Sequence, residues 1–152
     1  MKTNIFLKKR ILFIAFTCFT SLLIGQPTLT EHVISTSADD AFSVYAADVD
    51  GDGDMDVLYS SKSDDKIAWY ENDGNQGFTE HAISTSIDGP YHVYAADVDG
   101  DGDMDALSAS SGWQIDDKIA WYENDGNQGF TQHTISTSTD GAFNVYAADV
   151  DA

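Results

Sequence analysis

A threefold internal repeat constrains this chain more than any other feature of its sequence. The octapeptide TEHVISTS at residues 30–37 returns with small changes at residues 79–86 and 131–138. The spacings are 49 and 52 residues, counted from 30 to 79 and from 79 to 131. Repeats of this length are typical of solenoids, propellers and other arrays, in which each unit packs on its neighbours. The chain is therefore expected to be built from stacked copies of one small unit.

Each unit contains four short segments that have the composition of β-strands. In the first unit these segments are residues 42–47, 55–60, 66–71 and 78–84. The Asp73-Gly74 pair after the third segment is a strong hairpin signal, and no stretch of useful length has a helical period. The sequence predicts an all-β fold of four-stranded antiparallel sheets.

The third strand of the unit is apolar on both faces. Ile67 and Trp69 point to one face, and Ala68 and Tyr70 point to the other. A sheet with one face in water would alternate apolar with polar residues, whereas two buried faces suit the stacked blades of a β-propeller. We therefore expect about two complete propeller blades plus partial ones.

The repeat region spans residues 26–152, with units at 30–78 and 79–130 and a partial unit at 131–152. Propellers typically have about four to eight blades. We therefore expect a fragment of a longer chain or, alternatively, a short protein that closes its ring by oligomerising. Further repeats of the same chain or further copies would complete the ring. Residues 28–36 are expected to form an outer strand of its last blade.

Residues 1–25 have the order of a secretory signal peptide. Basic residues within positions 1–10 precede a 14-residue apolar run at 11–24, and small and polar residues follow. The run is shorter than the roughly 18–20 residues that span a bilayer, which favours cleavage over a membrane anchor. We therefore expect a protein that is secreted or displayed at the cell surface, with no membrane insertion after cleavage. The chain has a single cysteine, which lies in this run. One cysteine cannot pair within the chain, so a disulfide framework is excluded.

Acidic side chains dominate the repeat region. The chain has 26 acidic and 7 basic residues, four of the basic residues lie in the first ten positions, and no acid precedes Glu31. A surface this negative repels phosphate backbones and anionic lipids, which disfavours roles in binding nucleic acid or membrane surfaces. The hydrophobic content of 42% is too high for a disordered acidic tail, so we expect a folded domain.

Two identical loops concentrate these acids. The sequence ADVDGDGDMD occupies residues 47–56 and again residues 96–105. Carboxylates about 6 Å apart repel by roughly 2–3 kcal/mol per pair at an effective dielectric of about 20, and a hard divalent cation removes that cost. Flexible all-oxygen coordination favours calcium over magnesium. The candidate metal-binding residues are Asp48, Asp50, Asp52, Asp54, Asp56, Asp97, Asp99, Asp101, Asp103 and Asp105, with Asp54 expected to ligate through its backbone carbonyl.

Two other interpretations of these loops are weaker. An EF-hand needs a bidentate glutamate at position 12, where this chain has Tyr59 and Ser108, and its flanking segments would be helices. A solvated acidic turn that binds nothing is the remaining alternative. The regular spacing of the carboxylates and their recurrence favour calcium over that alternative.

The loops resemble those of the FG-GAP family, specifically its bacterial VCBS-type branch. Residues 48–56 match the pattern DxDxDGxxD of the calcium loops in integrin-like α-subunit propellers, and residues 97–105 match it again. The short sequences FG and GAP themselves are absent, which favours the bacterial branch. The third loop has only Asp149 and Asp151. The resemblance implies a calcium-stabilised propeller in a secreted or surface protein, often one connected with adhesion or carbohydrate contact.

The function expected from these features is a non-catalytic module that binds an extracellular protein or glycan. The alternative is an accessory propeller of a larger secreted hydrolase or lyase, whose catalytic part lies outside this chain. Calcium buffering or sensing would need EF-hand helices that change state. Four glutamates could suggest a glycosidase, but all recur with the repeat, whereas a catalytic pair is normally unique; they are Glu31, Glu71, Glu80 and Glu123.

Histidines and tryptophans at repeated positions are expected to be structural. His32, His81 and His133 share one position on the fourth strand, and we expect them to pack or to face solvent rather than to bind a transition metal. Trp69 and Trp121 are expected in the core. Trp113 lies in a three-residue insertion of the second unit, and we hypothesise that it contacts a sugar ligand.

Overall fold

The structure is a computed structural model that describes residues 29–112 and 117–151. The predicted signal peptide at 1–25 and Trp113 lie outside the described residues. The chain divides into two compact units, Met1–Glu31 and His32–Ala152. The described part of the first unit, residues 29–31, has no regular secondary structure. The fold below is that of the second unit.

Eight β-strands form two four-stranded sheets in the second unit. The first sheet contains β1 (Ala41–Ala47), β2 (Asp56–Ser61), β3 (Lys66–Asn72) and β4 (Phe78–Ser84). The second contains β5 (Pro90–Ala96), β6 (Asp105–Ser110), β7 (Lys118–Asn124) and β8 (Phe130–Ser136). Neighbours in sequence pair antiparallel, in the orders β1-β2-β3-β4 and β5-β6-β7-β8. The predicted all-β class is confirmed, and the predicted strands of the first unit are correct to within one residue at each end.

The described residues contain no helix, and therefore none that is long and apolar enough to cross a membrane. The turns after β3 and β7 follow the expected hairpin chemistry. Gly74 and Gly126 have φ values of 70° and 68°, which L-residues rarely adopt. Asp73 and Asp125 close these turns by accepting backbone hydrogen bonds from Gly77 and Gly129 at 2.8 and 2.9 Å.

Both faces of the first sheet carry apolar side chains, as the sequence predicts. Ile67 and Trp69 are fully buried in the core that lies between the two sheets. Ala68 and Tyr70 are buried on the opposite face, in a second cluster against which Phe78 packs. At roughly 25 cal/mol per Å² of apolar surface removed from water, such packing dominates the stability of the stack.

The second sheet also has two apolar faces. Val93, Ala106 and Tyr122 belong to the core between the sheets. Leu107 on the far face packs in a separate cluster with Val145, which lies in the segment that follows β8. That segment, residues 139–151, forms no strand. It nevertheless occupies the place that a third blade would take.

Residues 29–40 also form no strand, so the expected outer strand at 28–36 is not found in its described part. The equivalent segments β4 and β8 pair with β3 and β7, the third strands of their own sheets. Among the described residues, no strand pairs with the segment at residues 29–36. Without a neighbour to accept its backbone hydrogen bonds, the segment does not become a strand.

Hydrogen bonds and edge-on or tilted aromatic contacts join β1 to β5, and join β5 to the segment at residues 139–151. The Ser43 hydroxyl accepts the Val93 N–H and the His92 Nδ1 accepts the Val145 N–H, each at 3.4 Å. Two aromatic series follow the same direction, with ring centroids 4.7–5.3 Å apart. They consist of Phe42, Tyr91 and Phe143, and of Tyr45, Tyr94 and Tyr146.

Candidate metal centre

The two aspartate loops connect the first and second strands of each sheet. The first runs from the end of β1 at Ala47 to the start of β2 at Asp56, and the second from Ala96 to Asp105. Gly51 and Gly53 have φ values of 74° and 96°, and their counterparts in the second loop have 81° and 101°. Only glycine adopts such values freely, so the Gly-x-Gly spacing lets each loop turn back on itself.

The loops bring carboxylates together as the sequence predicts. In the first loop, oxygens of Asp48, Asp50 and Asp52 lie within 4.8 Å of one another. In the second, the oxygens that converge belong to Asp97, Asp99 and Asp105. Each set is close enough for one cation to contact all three oxygens. The two sets differ in membership, although the loop sequences are identical.

Asp48 has one carboxylate oxygen that points into the fold without a partner. Its Oδ2 accepts the Gly53 N–H at 3.1 Å, while its Oδ1 is buried and has no hydrogen-bond partner among the described residues. A buried, unpaired carboxylate oxygen is costly. A cation beside it would remove that cost.

Short-range hydrogen bonds hold the remaining loop carboxylates. Asp50 Oδ1 accepts the Asp52 N–H at 3.3 Å, and Asp52 Oδ1 accepts the Asp54 N–H at 2.8 Å. Burial raises the pKa of Asp50, and repulsion from Asp52, Glu71 and Asp48 adds to it. Desolvation similarly raises the pKa of Asp99, with repulsion from neighbouring acids as a smaller cause. Burial and repulsion from neighbouring carboxylates therefore both disfavour the charged forms of Asp50 and Asp99.

Asp56 and Asp105 join each loop to the third strand of its sheet. Asp56 is fully buried, and its two oxygens accept the N–H groups of Val49 and Asn72, both at 2.8 Å. Asp105 binds the N–H groups of Val98 and Asn124 in the same way, at 2.9 and 2.8 Å. Burial raises the pKa of Asp56, although both hydrogen bonds lower it. The residue predicted as the last metal ligand thus also fixes the shape of the loop.

Asp54 and Asp103 direct their side chains away from the converging oxygens. The Asp54 carboxylate lies against Gly74, and the Asp103 carboxylate lies against Gly126, in the turn after the third strand. This arrangement is compatible with the expected role of Asp54, in which only its backbone carbonyl would bind the ion. That role stays a prediction.

Two asparagines at the ends of β3 and β7 were not among the candidate site residues. The side-chain amide of Asn72 donates to Met55 O at 3.1 Å, and that of Asn124 donates to Met104 O at 3.1 Å. Asn124 also donates to Val49 O, in the loop of the other sheet, at 2.9 Å. Their recurrence in the repeated segment ENDG is the sequence signal that could have identified them.

Histidines of the fourth strands pack beside the tryptophans. His81 stacks on Trp69 with ring centroids 4.8 Å apart, and its Nε2 lies 2.7 Å from Glu71 Oε2. His133 repeats this arrangement with Trp121 and Glu123. These two histidines therefore pack within their sheets, and His32 is exposed. Both outcomes agree with the expectation that these histidines pack or face solvent. Trp69 is buried as predicted, and Trp121 is partly buried.

The donor atoms of both loops are oxygens. Hard cations prefer such sites, and calcium tolerates the irregular spacing of a flexible loop, whereas magnesium requires near-ideal octahedral geometry. Among the described residues, neither group contains a histidine or cysteine that would favour zinc or copper. The third loop is represented by Asp149, whose Oδ1 accepts the Asp151 N–H at 3.2 Å.

Stacked four-stranded antiparallel sheets and acidic loops define the chain as an all-β repeat protein with propeller-like blades. Residues 48–108, from the first loop into β6, match the family model described as FG-GAP-like repeat. This part of the chain is therefore FG-GAP-like, in agreement with the sequence resemblance. Comparisons with curated proteins and with solved structures returned no match.

Proposed function

We propose that the chain is a calcium-binding, non-catalytic module of the extracellular space that presents a binding surface for a protein or a glycan. The observation that carries the proposal is the convergence of three carboxylates in each loop, within 4.8 Å. The buried, unpaired Oδ1 of Asp48 supports it independently. Calcium here acts mainly on folding, because binding the native state alone stabilises that state.

The residues present fit calcium in number and chemistry. Asp48, Asp50 and Asp52 would hold the ion in the first loop, and Asp97, Asp99 and Asp105 in the second. Calcium takes six to eight oxygen ligands, so backbone carbonyls and water would complete each site. Bound calcium would neutralise the loop charges and hold each loop between its two strands.

A non-catalytic role is supported by the surroundings of the glutamates. Glu80 accepts hydrogen bonds from Lys66 and Tyr59 at 2.6 and 2.8 Å. Glu71 and Glu123 each contact a histidine of their own sheet. These acids have local partners, and the histidine partners of Glu71 and Glu123 recur with the fold. Export through residues 1–25 would place the module where calcium is abundant.

A thermal melt with calcium and then with chelator tests the proposal. Extracellular modules bind calcium with dissociation constants of about 10⁻⁴–10⁻³ M. Free calcium at about 100 times the dissociation constant stabilises by about 2.7 kcal/mol per site. We therefore expect the melting temperature of the full chain to rise as calcium is added up to roughly 10–100 mM, about 100 times those constants, and to fall with chelator. Magnesium at the same concentration should have a smaller effect.

Isothermal titration of two single variants identifies the sites. Each loop should bind one ion in the parent protein. Asp50→Ala and Asp99→Ala, at equivalent positions in the two converging sets, should each remove one site, while Asp73→Ala, in an acidic turn outside the loops, should retain both. Full calcium binding in both loop variants, or none in a folded parent protein, would overturn the proposed function.

A further inference from the structure

The side chain of Asn124 connects the two aspartate loops. It lies at the end of β7 and is only 2% exposed. Its amide donates to Val49 O in the first loop and to Met104 O in the second. We propose that Asn124 is a positioning residue that couples the two loops, so that calcium in one raises the calcium affinity of the other. This inference rests on the proposed calcium binding.

On the side of the first loop, Asn124 holds the backbone between two candidate ligands. Val49 lies between Asp48 and Asp50 and is 3% exposed. Its carbonyl accepts the Asn124 amide at 2.9 Å, and its N–H donates to Asp56 Oδ2 at 2.8 Å. Both backbone polar groups of Val49, one in each of the two peptide units that flank its Cα, are therefore engaged, and the directions of the flanking carboxylates depend on them.

On the side of the second loop, Asn124 is held by the candidate ligand Asp105. The Asn124 N–H donates to Asp105 Oδ1 at 2.8 Å, and Asp105 Oδ2 accepts the Val98 N–H. Asn124 Oδ1 accepts the Gly126 N–H at 3.2 Å. Every polar group of the asparagine side chain is thus bonded, which leaves it little freedom to move alone.

These contacts form one buried network from Asp105 through Asn124 to Val49. Calcium in the second loop would fix Asp105, and the network would then hold Val49 and the loop around it. The conformational entropy that the first loop loses on binding would already have been lost in part. By thermodynamic reciprocity, calcium in the first loop would assist the second equally. The expected coupling is positive.

Asn72 provides a matched control within the same chain. It occupies the equivalent position at the end of β3, and its N–H donates to Asp56 Oδ1 at 2.8 Å. Its side-chain amide donates to Met55 O in its own loop. Among the described residues it contacts no loop of another sheet. Replacing Asn72 therefore removes the local bond alone, whereas replacing Asn124 removes the local bond and the link.

The experiment follows each loop separately by NMR during a calcium titration of the full chain. The amides of Gly51 and Gly53 report the first loop. Asp99→Ala, which removes one carboxylate of the converging set in the second loop, should lower the calcium affinity of the first loop by about threefold to tenfold, the range equivalent to about one net hydrogen bond. In an Asn124→Ala background, adding Asp99→Ala should leave that affinity unchanged. In an Asn72→Ala background, the loss should persist.

A second readout requires no metal. In chelator, hydrogen exchange of the Val49 amide should be faster in Asn124→Ala than in the parent. Asn72→Ala removes no bond to Val49, so it should not reproduce this faster exchange. An effect of Asp99→Ala that persists in Asn124→Ala would overturn the coupling while leaving calcium binding intact. Independent affinities in the parent protein would do the same. Absence of calcium binding at both loops would overturn the proposed function as well.

Discussion

At the scale of single residues, Asp56 shows how a carboxylate predicted as a metal ligand organises its own loop. Both of its oxygens accept buried backbone N–H groups, from Val49 and Asn72. Asp54, two residues earlier, lies against Gly74 and is partly exposed. Two aspartates of one motif therefore contribute to stability in different ways, which their sequence pattern does not distinguish.

Asp56→Ala should destabilise the protein strongly even without calcium. The substitution leaves two N–H groups without acceptors in a buried site, and each costs about 1–3 kcal/mol. Urea unfolding in chelator should therefore give a loss of about 2–5 kcal/mol in the free energy of unfolding. Asp54→Ala is the control and should cost less than about 1 kcal/mol. Equal midpoints for the two variants would contradict the anchoring role of Asp56.

At the scale of elements, side-chain contacts rather than a shared sheet join the first sheet to β5, and join β5 to the segment at residues 139–151. Lys62, in the turn after β2, donates to the Tyr91 hydroxyl of β5 at 2.6 Å. Its ammonium also lies 4.3 Å from the centroid of the Tyr91 ring. His92 accepts a backbone N–H from Val145. These contacts determine how one repeat is placed on the next.

The contact between His92 and Val145 should make stability depend on pH. His92 Nδ1 accepts a hydrogen bond, so that nitrogen must be unprotonated, and burial lowers the pKa of the imidazole. The unfolded chain, with a histidine pKa of about 6.5, binds the proton more readily. The contribution of His92 is therefore complete above that pH and is lost as pH falls through and below it.

Urea midpoints of the parent and of His92→Ser between pH 7.5 and 5.5 check this expectation. Serine occupies the equivalent position 43, where its hydroxyl accepts the N–H of Val93, so the variant keeps an acceptor that does not titrate. The parent should lose more stability than the variant as pH falls. Parallel pH profiles would show that His92 does not contribute.

Tyr91→Phe should weaken the link between the two sheets without disturbing either sheet. It removes the acceptor of the Lys62 ammonium but keeps the ring that contacts Phe42 and Phe143. The lysine is partly exposed, so we expect a loss of about 1 kcal/mol in the free energy of unfolding. Lys62→Met in the same background should add little. A full further loss in the double variant would contradict a direct link.

At the scale of the whole molecule, charge and apolar packing oppose each other. The formal net charge of the chain is −19, while the sheets present two apolar faces each. Val44 on the outer face of the first sheet is 69% exposed, whereas the equivalent Val93 is fully buried against that sheet. Packing of the two sheets therefore buries the valine of the second sheet, whereas the equivalent valine on the outer face of the first sheet stays exposed.

Salt should stabilise the calcium-free protein. The Debye length falls from about 30 Å at 0.01 M to about 8 Å at 0.15 M, which reduces repulsion among the loop carboxylates. We therefore expect the melting temperature in chelator to rise with sodium chloride, and to rise less when calcium saturates the loops. Scanning calorimetry at several salt concentrations measures both slopes. Equal slopes with and without calcium would show that the loops are not the source of the repulsion.

The sequence by itself determined the repeat, the strands and the loops, because each depends on local pattern. Apolar residues on both faces of residues 67–70 predicted a buried strand, and all four lie in cores. The glycines and aspartates of residues 48–56 predicted a turning, oxygen-rich loop. These features follow from backbone sterics and side-chain alternation within a few residues, so they can be read without knowing what lies nearby.

Only the tertiary structure decided which of these residues act together. Asn124 and Val49 meet although they lie 75 residues apart, and no local pattern encodes that distance. The structure separates Asp48, Asp50 and Asp52, which converge, from Asp56, which holds backbone N–H groups in the first loop. It also leaves residues 29–40 without a strand, because a strand needs a neighbour to receive its hydrogen bonds. Packing between sheets therefore supplies the connections that the repeat alone leaves open.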